Sequence, residues 1–364
     1  EAVLGGFPLK SPMIRIDTIG AGGGSIAWLD PGGSLRVGPQ SAGADPGPIC
    51  YGRGGREMTL TDAHVYLGRI PPEHFLGGTM TLAHKKINSL IKALGKKLKL
   101  SLKESAQGIL TVANANMARA LRVLSLERGY DPREFTLLPF GGAGALHACE
   151  LADLLGIPRV LIPPHPGILS AFGMAHADWK RDYVQTVLLP DRPNPFPKIQ
   201  TTLKQLQTRA HREAAREGHA KHQLIFHAQL DVRYEGQSYE LSLPLNRDFK
   251  SSFVRKHRQR YGFVHRHPLE IVNVRLQARV PLKHPVPRKK YPFVKQHPRP
   301  VQKHPLYWNK KTWPLMVYLR SELHPGQNLS GPAIVAEFSA TTFLPPHWRL
   351  QVDPKENLIL RPKK

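Results

Sequence analysis

The residues of this chain best placed to do chemistry stand in glycine-rich turns, not in clusters of acids, bases or thiols. Phe140-Gly-Gly-Ala-Gly-Ala-Leu-His147 falls between a predicted strand and a predicted helix. Gly141, Gly142 and Gly144 remove the Cβ atoms that would hold a ligand away, and the helix start behind them offers unpaired amides and the positive end of a dipole. A phosphate or a polar nucleotide edge is the matching ligand, with His147 in reach of it; the alternative is a tight turn that only packs a helix onto a sheet. A second run, Asp17-Thr-Ile-Gly-Ala-Gly-Gly-Gly-Ser25, sets Gly22, Gly23, Gly24 and Ser25 where successive main-chain amides can converge into an anion-binding nest. No Gly-Lys-Ser/Thr follows it, so it is not a Walker loop. The half-match Gly142-x-Gly144-x-x-His147 lacks the third glycine and the downstream acid of a dinucleotide fingerprint.

Asp62 and His64, in Thr61-Asp-Ala-His64, are the first candidates for a catalytic role. A carboxylate two residues from an imidazole, at the end of the glycine- and proline-dense loop Val37 to Gly55, can orient a metal-bound water or a substrate. The competing reading is a helix N-cap by Thr61 or Asp62. Asp45, before Pro46, reads as a turn residue. Arg128 and Arg133 offer themselves to a phosphate or, more simply, to Asp131 and Glu134. His165 to Gly167 forms a further loop that can line a cleft. The eighteen histidines include His265-x-His267 and His219-x-x-His222 but no metal-ligand spacing with cysteine, and G-x-S-x-G is absent, so neither a zinc site nor a serine triad is expected.

These residues need elements to position them, and the pattern supplies an α/β grammar from Ile14 to Tyr183. Ser101-Leu-Lys-Glu104 is a capping box, followed at helical spacing by Ala106, Ile109, Leu110, Ala113, Met117, Leu121 and Leu124, with Gly129 as the stop. Leu137 to Phe140 predicts a strand, Ala145 to Leu155 a helix ended by Gly156, and Arg159 to Ile162 a second strand, which together make a βαβ unit with parallel strands. After Tyr183 comes the proline-rich Pro190 to Pro197, then a polar helix over Ile199 to Glu217. The period then becomes two: Leu230, Val232 and Tyr234 alternate, as do Val272, Val274, Leu276, Ala278 and Val280. A basic, proline-rich stretch, Pro281 to Pro305, precedes short strands near Met316 to Leu319, Ala333 to Ala336 and Leu358 to Leu360. Two domains are expected, 1–189 and 190–364, the second rich in strands.

The 52 Lys and Arg residues against 27 Asp and Glu give a net charge of +25, but the basic residues are dispersed with little aromatic interleaving, so specific nucleic-acid binding is not expected. Apolar runs fall far short of the roughly 20 residues that cross a bilayer. With two cysteines, Cys50 and Cys149, and no secretory signal, a reduced cytoplasmic setting is the expectation.

Taken together, IDTIGAGGGSIAWLD, GPQSAGADPGPICYGRGG, TLTDAHVYLGRI, NMARALRVLSLERGYDPREFTLLPFGGAGALHA and HPGILSAFGMAHADWKRDY resemble the hydantoinase A/oxoprolinase family. The strings LDVRYEGQSYELSLPL, EIVNVRLQARV and GPAIVAEFSATTFLPP continue the likeness to the end of the chain. The resemblance implies an actin-like (ribonuclease H-like) ATPase lobe followed by a β-rich domain, with Gly141, Gly142 and Gly144 against adenosine. It implies ATP and Mg²⁺ as cofactors, a small cyclic amide as substrate, and a companion hydantoinase B-like subunit. The family's two acidic, glycine-rich phosphate motifs precede the segment matched here and are not in this sequence, so an amino-terminal segment is expected as a partner and the chain alone is expected to be inactive. Two other readings stay open: an ATP-using subunit of an acetone-type carboxylase, and an inactive remnant or anion-binding interaction module.

Overall fold

The computed structural model describes residues 2–4, 7–9, 16, 18–83, 86–282 and 292–363. Asp17 and part of the Pro281 to Pro305 stretch lie outside them. Two compact units emerge: one from Glu1–Ala171 together with Arg288–Lys364, the other from Phe172–Pro287.

In the first unit, β1 (Ala2–Leu4) and β2 (Phe7–Leu9) pair, as do β3 (Ser25–Leu29) and β4 (Leu35–Ser41). Then come α1 (Leu60–Tyr66), α2 (Ile87–Leu98) and α3 (Leu102–Leu124). The expected capping box opens α3: Ser101 Oγ accepts from the Glu104 amide while the Glu104 carboxylate accepts from the Ser101 amide. Its apolar stripe, Ala106, Ile109, Leu110 and Ala113, is buried, and each Ile or Leu so buried contributes about 1.5–3 kcal/mol. The helix ends at Leu124, and a 3₁₀ turn carries the chain to Gly129, whose φ of +78° closes it.

The expected βαβ unit is only partly formed. Helix α4 (Gly144–Leu155) and strand β5 (Val160–Ile162) stand where predicted, with Gly156 left-handed between them. The strand expected over Leu137 to Phe140 is reduced to one parallel bridge, Leu137 to Val160. Pro139 has no amide to donate, and Gly141 turns the chain away by giving its N–H to Pro166 O at 2.8 Å. After α5 (Leu169–Ala175), β5 finds its main partner far along the sequence.

The second unit is one antiparallel sheet, ordered β6 (Trp179–Pro190), β9 (Leu269–Val280), β7 (Ile225–Tyr234), β8 (Leu241–Pro244), packed with α6 (Phe196–Arg216) and α7 (Phe249–Tyr261). The alternation read through Val272 shifts there. Asp231 pairs with Asn273 and Val232 with Ile271, so Val272 is the extra residue of a β-bulge, and Ile271 takes the core position instead.

The remaining strands return to the first unit. β10 (Gln302–Trp308) and β11 (Lys311–Leu319) form a hairpin around Asn309 and Lys310, both at positive φ, the geometry a two-residue turn requires. β11 pairs in parallel with β13 (Ala333–Glu337), which turns through Phe338 and Ser339 into β14 (Ala340–Leu344). A second sheet runs β12 (Asn328–Ser330), β15 (Trp348–Val352), β16 (Leu358–Pro362), β5. The register Leu358 to Ile162, Ile359 to Leu161 and Leu360 to Val160 joins the end of the chain to its first half. One core cluster combines Leu60, Ile87 and Ile109 with Leu315, Ile334 and Phe343, and another combines Leu151 and Val160 with Trp348 and Leu360. This division by packing differs from a linear cut at 189/190, because the last strands complete a sheet and a core begun before residue 163. The whole is a mixed α/β fold with several sheets. No helix among the described residues is long and apolar enough to cross a membrane.

Candidate functional site

Helix α1 places Asp62 and His64, and neither side chain reaches solvent. Thr59, not Thr61 or Asp62, is the N-cap; Asp62 is its partner in a capping box. The Asp62 carboxylate accepts from the amides of Ile49 (3.3 Å), Cys50 (2.8 Å) and Thr59 (2.9 Å) and from Thr59 Oγ1 (2.7 Å). It ties the preceding loop to the helix start. Burial, with the Asp62 charge beside it, pushes the Cys50 thiol up and keeps it protonated.

The run at 22–25 packs against the same helix start. Thr61 gives its amide and its hydroxyl to Gly23 O, and the Gly22 amide donates to Ser25 Oγ at 2.9 Å. A Cβ on Gly23 would come within 2.6 Å of Thr61 Oγ1, and one on Gly24 within 2.7 Å of Ser41 Oγ, so close packing alone accounts for both glycines.

His64 and His147 meet, with Nε2 to Nε2 at 3.1 Å. They belong to a buried polar knot that sequence reading missed. Glu150 on α4 accepts two bonds from Arg69, both at 2.8 Å, one from Asn114 Nδ2 at 2.9 Å and one from Trp308 Nε1 at 3.2 Å. Arg69 is 0% exposed and also lies 4.5 Å from the Phe343 ring centroid. Because an ionised Glu150 can only accept, the Asn114 amide must point its nitrogen at it and its oxygen at His147 Nδ1, 2.7 Å away. His147 therefore carries its proton on Nδ1, and its bare Nε2 accepts from His64 Nε2–H. The donors run in one direction, His64 to His147 to Asn114 to Glu150, which leaves His64 Nδ1 as a buried acceptor without a partner.

Electrostatics follow from burial. Desolvation holds His147 neutral with a pKa lowered to about 4, and also pushes His64 well below the usual imidazole range, with help from His147 and Arg69. For Glu150, burial alone would raise the pKa, but the charge and hydrogen bonds of Arg69 outweigh it and bring the carboxyl to about 2. The signal that could have exposed the knot is Asn114 and Glu150 on otherwise apolar helix faces.

The knot fixes the start of α4, where the second glycine turn stands. Unlike α1 and α3, α4 begins without a side-chain cap; its N-cap is Ala143. Gly141 adopts φ +84° and its amide is held by Pro166 O. A Cβ on Gly142 would lie 3.2 Å from Ser339 O, whereas one on Gly144 would make only ordinary contact with Pro139. Beside this turn is a cavity of about 500 Å³ lined by His165, Arg320, Glu337, Phe338 and Ser339 among others. Gly142 of this turn is exposed, and the turn meets the cavity through Ser339, which lines it; no residue of the turn itself does. The 22–25 run instead meets Thr61, Ser41 and Gly43. Arg133 pairs with Asp131 at 2.7 Å, and Asp45 sits in a turn. Among the described residues no group of three or more His, Cys, Asp or Glu side chains converges as a metal site would require.

Comparison with known proteins meets this geometry. The caprolactamase subunit alpha of Pseudomonas jessenii is 34% identical over 98% of this chain and 54% of its own length. The structure of the ATP-dependent caprolactamase from the same organism superposes with a TM-score of 0.72 at 33% identity, covering 97% of this chain and 54% of that one. A nucleotide-free acetone carboxylase gives a TM-score of 0.85 at 24% identity, covering 94% of this chain and 52% of that one, a likeness of fold. The chain thus spans about half the length of these relatives. The family model for hydantoinase/oxoprolinase matches residues 1–183 and that for the hydantoinase/oxoprolinase C-terminal domain matches 192–361, so between them they account for nearly every residue, and the chain belongs to the hydantoinase/oxoprolinase family.

Proposed function

We propose that this chain is part of an ATP-dependent hydrolase of cyclic amides. The observation that carries the reading is the likeness to the ATP-dependent caprolactamase along 97% of the chain. The start of α4, which no side chain caps, supports it, because a helix N-terminus suits the anionic part of a nucleotide. In this reading Gly142 and Gly144 border the nucleotide, Gly141 shapes the turn through its bond to Pro166, and the whole belongs to an actin-like ATPase lobe. Bound there, ATP would supply a phosphoryl group to the amide oxygen, making a poorly electrophilic carbonyl open to water.

The chain's own residues position. The Arg69–Glu150–Asn114–His147–His64 knot locks α4 to α1, α3 and β10, so the glycine turn is held rigid where the ligand would dock. Asp62 and His64 act as positioning residues, since both are buried and their neighbours are protein groups. Gly22, Gly23, Gly24 and Ser25 hold the α1 start in the same way. The described residues offer no Mg²⁺ ligand set, and in this reading Mg²⁺ and the remaining phosphate ligands come from an amino-terminal segment, with a companion hydantoinase B-like subunit completing the enzyme. The setting proposed is the cytoplasm.

The test is phosphate release from ATP by this chain assembled with an amino-terminal segment and a companion subunit, assayed with hydantoin, 5-oxoproline, caprolactam and acetone. Stimulation by a cyclic amide with ring opening supports the reading. Stimulation by acetone with bicarbonate alone would transfer the chain to the carboxylase reading, and no stimulation by any of them would leave the enzyme reading without support.

A further inference from the structure

The cavity beside the glycine turn contains two groups that the knot and α4 do not use. Strands β11 and β13 run parallel with Leu319 opposite Ala336, so Arg320, just past β11, and Glu337, the last residue of β13, come to the same end of the sheet. Burial raises the Glu337 carboxyl and lowers the Arg320 guanidinium, and their charges offset this in part, Arg320 acting on Glu337 and Glu337, Glu356 and Asp353 on Arg320. Yet Arg320 Nη1 and Glu337 Oε1 are both buried without a hydrogen-bond partner. The guanidinium is held from behind, its Nη2 donating to Glu356 O at 2.6 Å. Glu356 sits at φ +62°, a strained conformation for a residue with a side chain, in the turn that supports Arg320.

Arg320 Nη1 and Glu337 Oε1, recessed beside one cavity, are an incomplete arrangement, because each of these two atoms has lost solvation without gaining a bond. A ligand completes it by bringing a negative acceptor to the first and a positive donor to the second. Phe338, 66% exposed at the tip of the β13–β14 turn, adds an apolar surface at the rim. The tip is held in place from below: a Cβ on Gly77 would lie 2.9 Å from the Phe338 ring, and one on Gly167 within 2.3 Å of Ser339 Oγ. About 500 Å³ is room for a small molecule and not for a peptide.

We propose that this cavity binds a small zwitterionic amino acid, its carboxylate on Arg320 and its ammonium on Glu337, with the carbon chain against Phe338. Hydrolysis of a lactam releases such a molecule: water adds oxygen to the carbonyl carbon, the ring C–N bond breaks, and the nitrogen leaves as an amine that is protonated at neutral pH. The cavity is then where ring-opened product is held before release, or where it returns to inhibit. The choice of ligand rests on the functional reading above, whereas the charge complementarity rests on Arg320 and Glu337 alone.

The test is calorimetric titration of the full chain with 6-aminohexanoate and with glutamate, against hexanoate, hexylamine and caprolactam. At least one zwitterion is expected to bind at least about tenfold more tightly than either monofunctional analogue, the worth of one charge-assisted bond. Glu337→Gln, which breaks no existing bond at Oε1, is expected to abolish that preference while leaving hexanoate binding unchanged; Arg320→Met is expected to remove binding of every carboxylate. Should Arg320→Met lose its circular dichroism, Arg320→Lys and Glu337→Gln carry the test, and lysine is expected to weaken carboxylate binding while keeping the ammonium preference. Zwitterions that bind no better than hexanoate, tighter binding of caprolactam, or indifference to Glu337→Gln would each overturn the proposal. An assembled enzyme that opens lactams with ATP while this titration fails would separate the loss of this inference from loss of the functional reading, and the converse pair of results would separate them the other way.

Discussion

Replacing Glu150 by glutamine should cost the first unit about 3–5 kcal/mol of stability. The carboxylate faces Arg69, which is fully buried, and accepts from Asn114 and Trp308 as well. The drop of its pKa from an ordinary 4.5 to about 2 corresponds to roughly 3 kcal/mol of stability at neutral pH. Glutamine keeps the shape but leaves a guanidinium without a countercharge, and breaking a buried pair from one side costs about 3–5 kcal/mol. Arg69→Met leaves a buried carboxylate and should cost a similar amount. The double variant Arg69→Met/Glu150→Met should lose clearly less than the sum, because no uncompensated charge remains. Urea titration at pH 7, followed by far-ultraviolet circular dichroism and tryptophan emission, measures all three. The folded carboxyl takes up its proton only near pH 2, whereas the unfolded one does so from about 4.5. The stabilisation is therefore complete above about pH 5 and is lost as pH falls toward 2, and Glu150→Gln should abolish that slope. A Glu150→Gln loss below about 1 kcal/mol, or additive single and double losses, would refute the account of the knot.

Further tests are independent of that one. His147, neutral in the fold down to about pH 4, gives up to roughly 3 kcal/mol that is present above pH 6.5 and lost as pH falls between 6.5 and 4; His147→Gln should make that part of the stability–pH curve shallower, with the share of His64 remaining. Ala143→Asp adds an acidic side chain at the uncapped start of α4, so thermal stability should rise by about 0.5–1 kcal/mol while ATP affinity of the assembled enzyme falls; a rise in both would deny the nucleotide a place there. Gly167→Ala drives a methyl into Ser339 and should cost about 1–3 kcal/mol in thermal unfolding, with a matching loss of ligand binding in the adjoining cavity.

Helices were legible where capping and periodicity agreed. Ser101 and Glu104 announced α3, and Gly156 marked the end of α4, because such signals are local. The strand expected at Leu137 to Phe140 failed for reasons also written in the sequence, a proline and two glycines that keep it from a ladder beyond Leu137. Val272 misled because a bulge resets the period of two without changing residue type. The return of β10–β16 to the first unit left no local trace, since the pairing of Leu360 with Val160 spans most of the chain. Asp62 and His64 stood out for a carboxylate close to an imidazole, and the fold buries both: polar residues on a buried helix face are equally the mark of an internal network. Arg69, Asn114, Glu150 and Trp308 went unseen because their meeting depends on two helices, the turn after α1 and a strand that only the fold brings together.

The most direct measurement of the central claim is phosphate release from ATP by the assembled enzyme, followed alongside ring opening of a cyclic amide, with Ala143→Asp as the paired variant. Release and ring opening should rise together with the amide, and both should fall in the variant although α4 is more stable. Ring opening that proceeds without ATP, or a variant that leaves nucleotide use untouched, would contradict it.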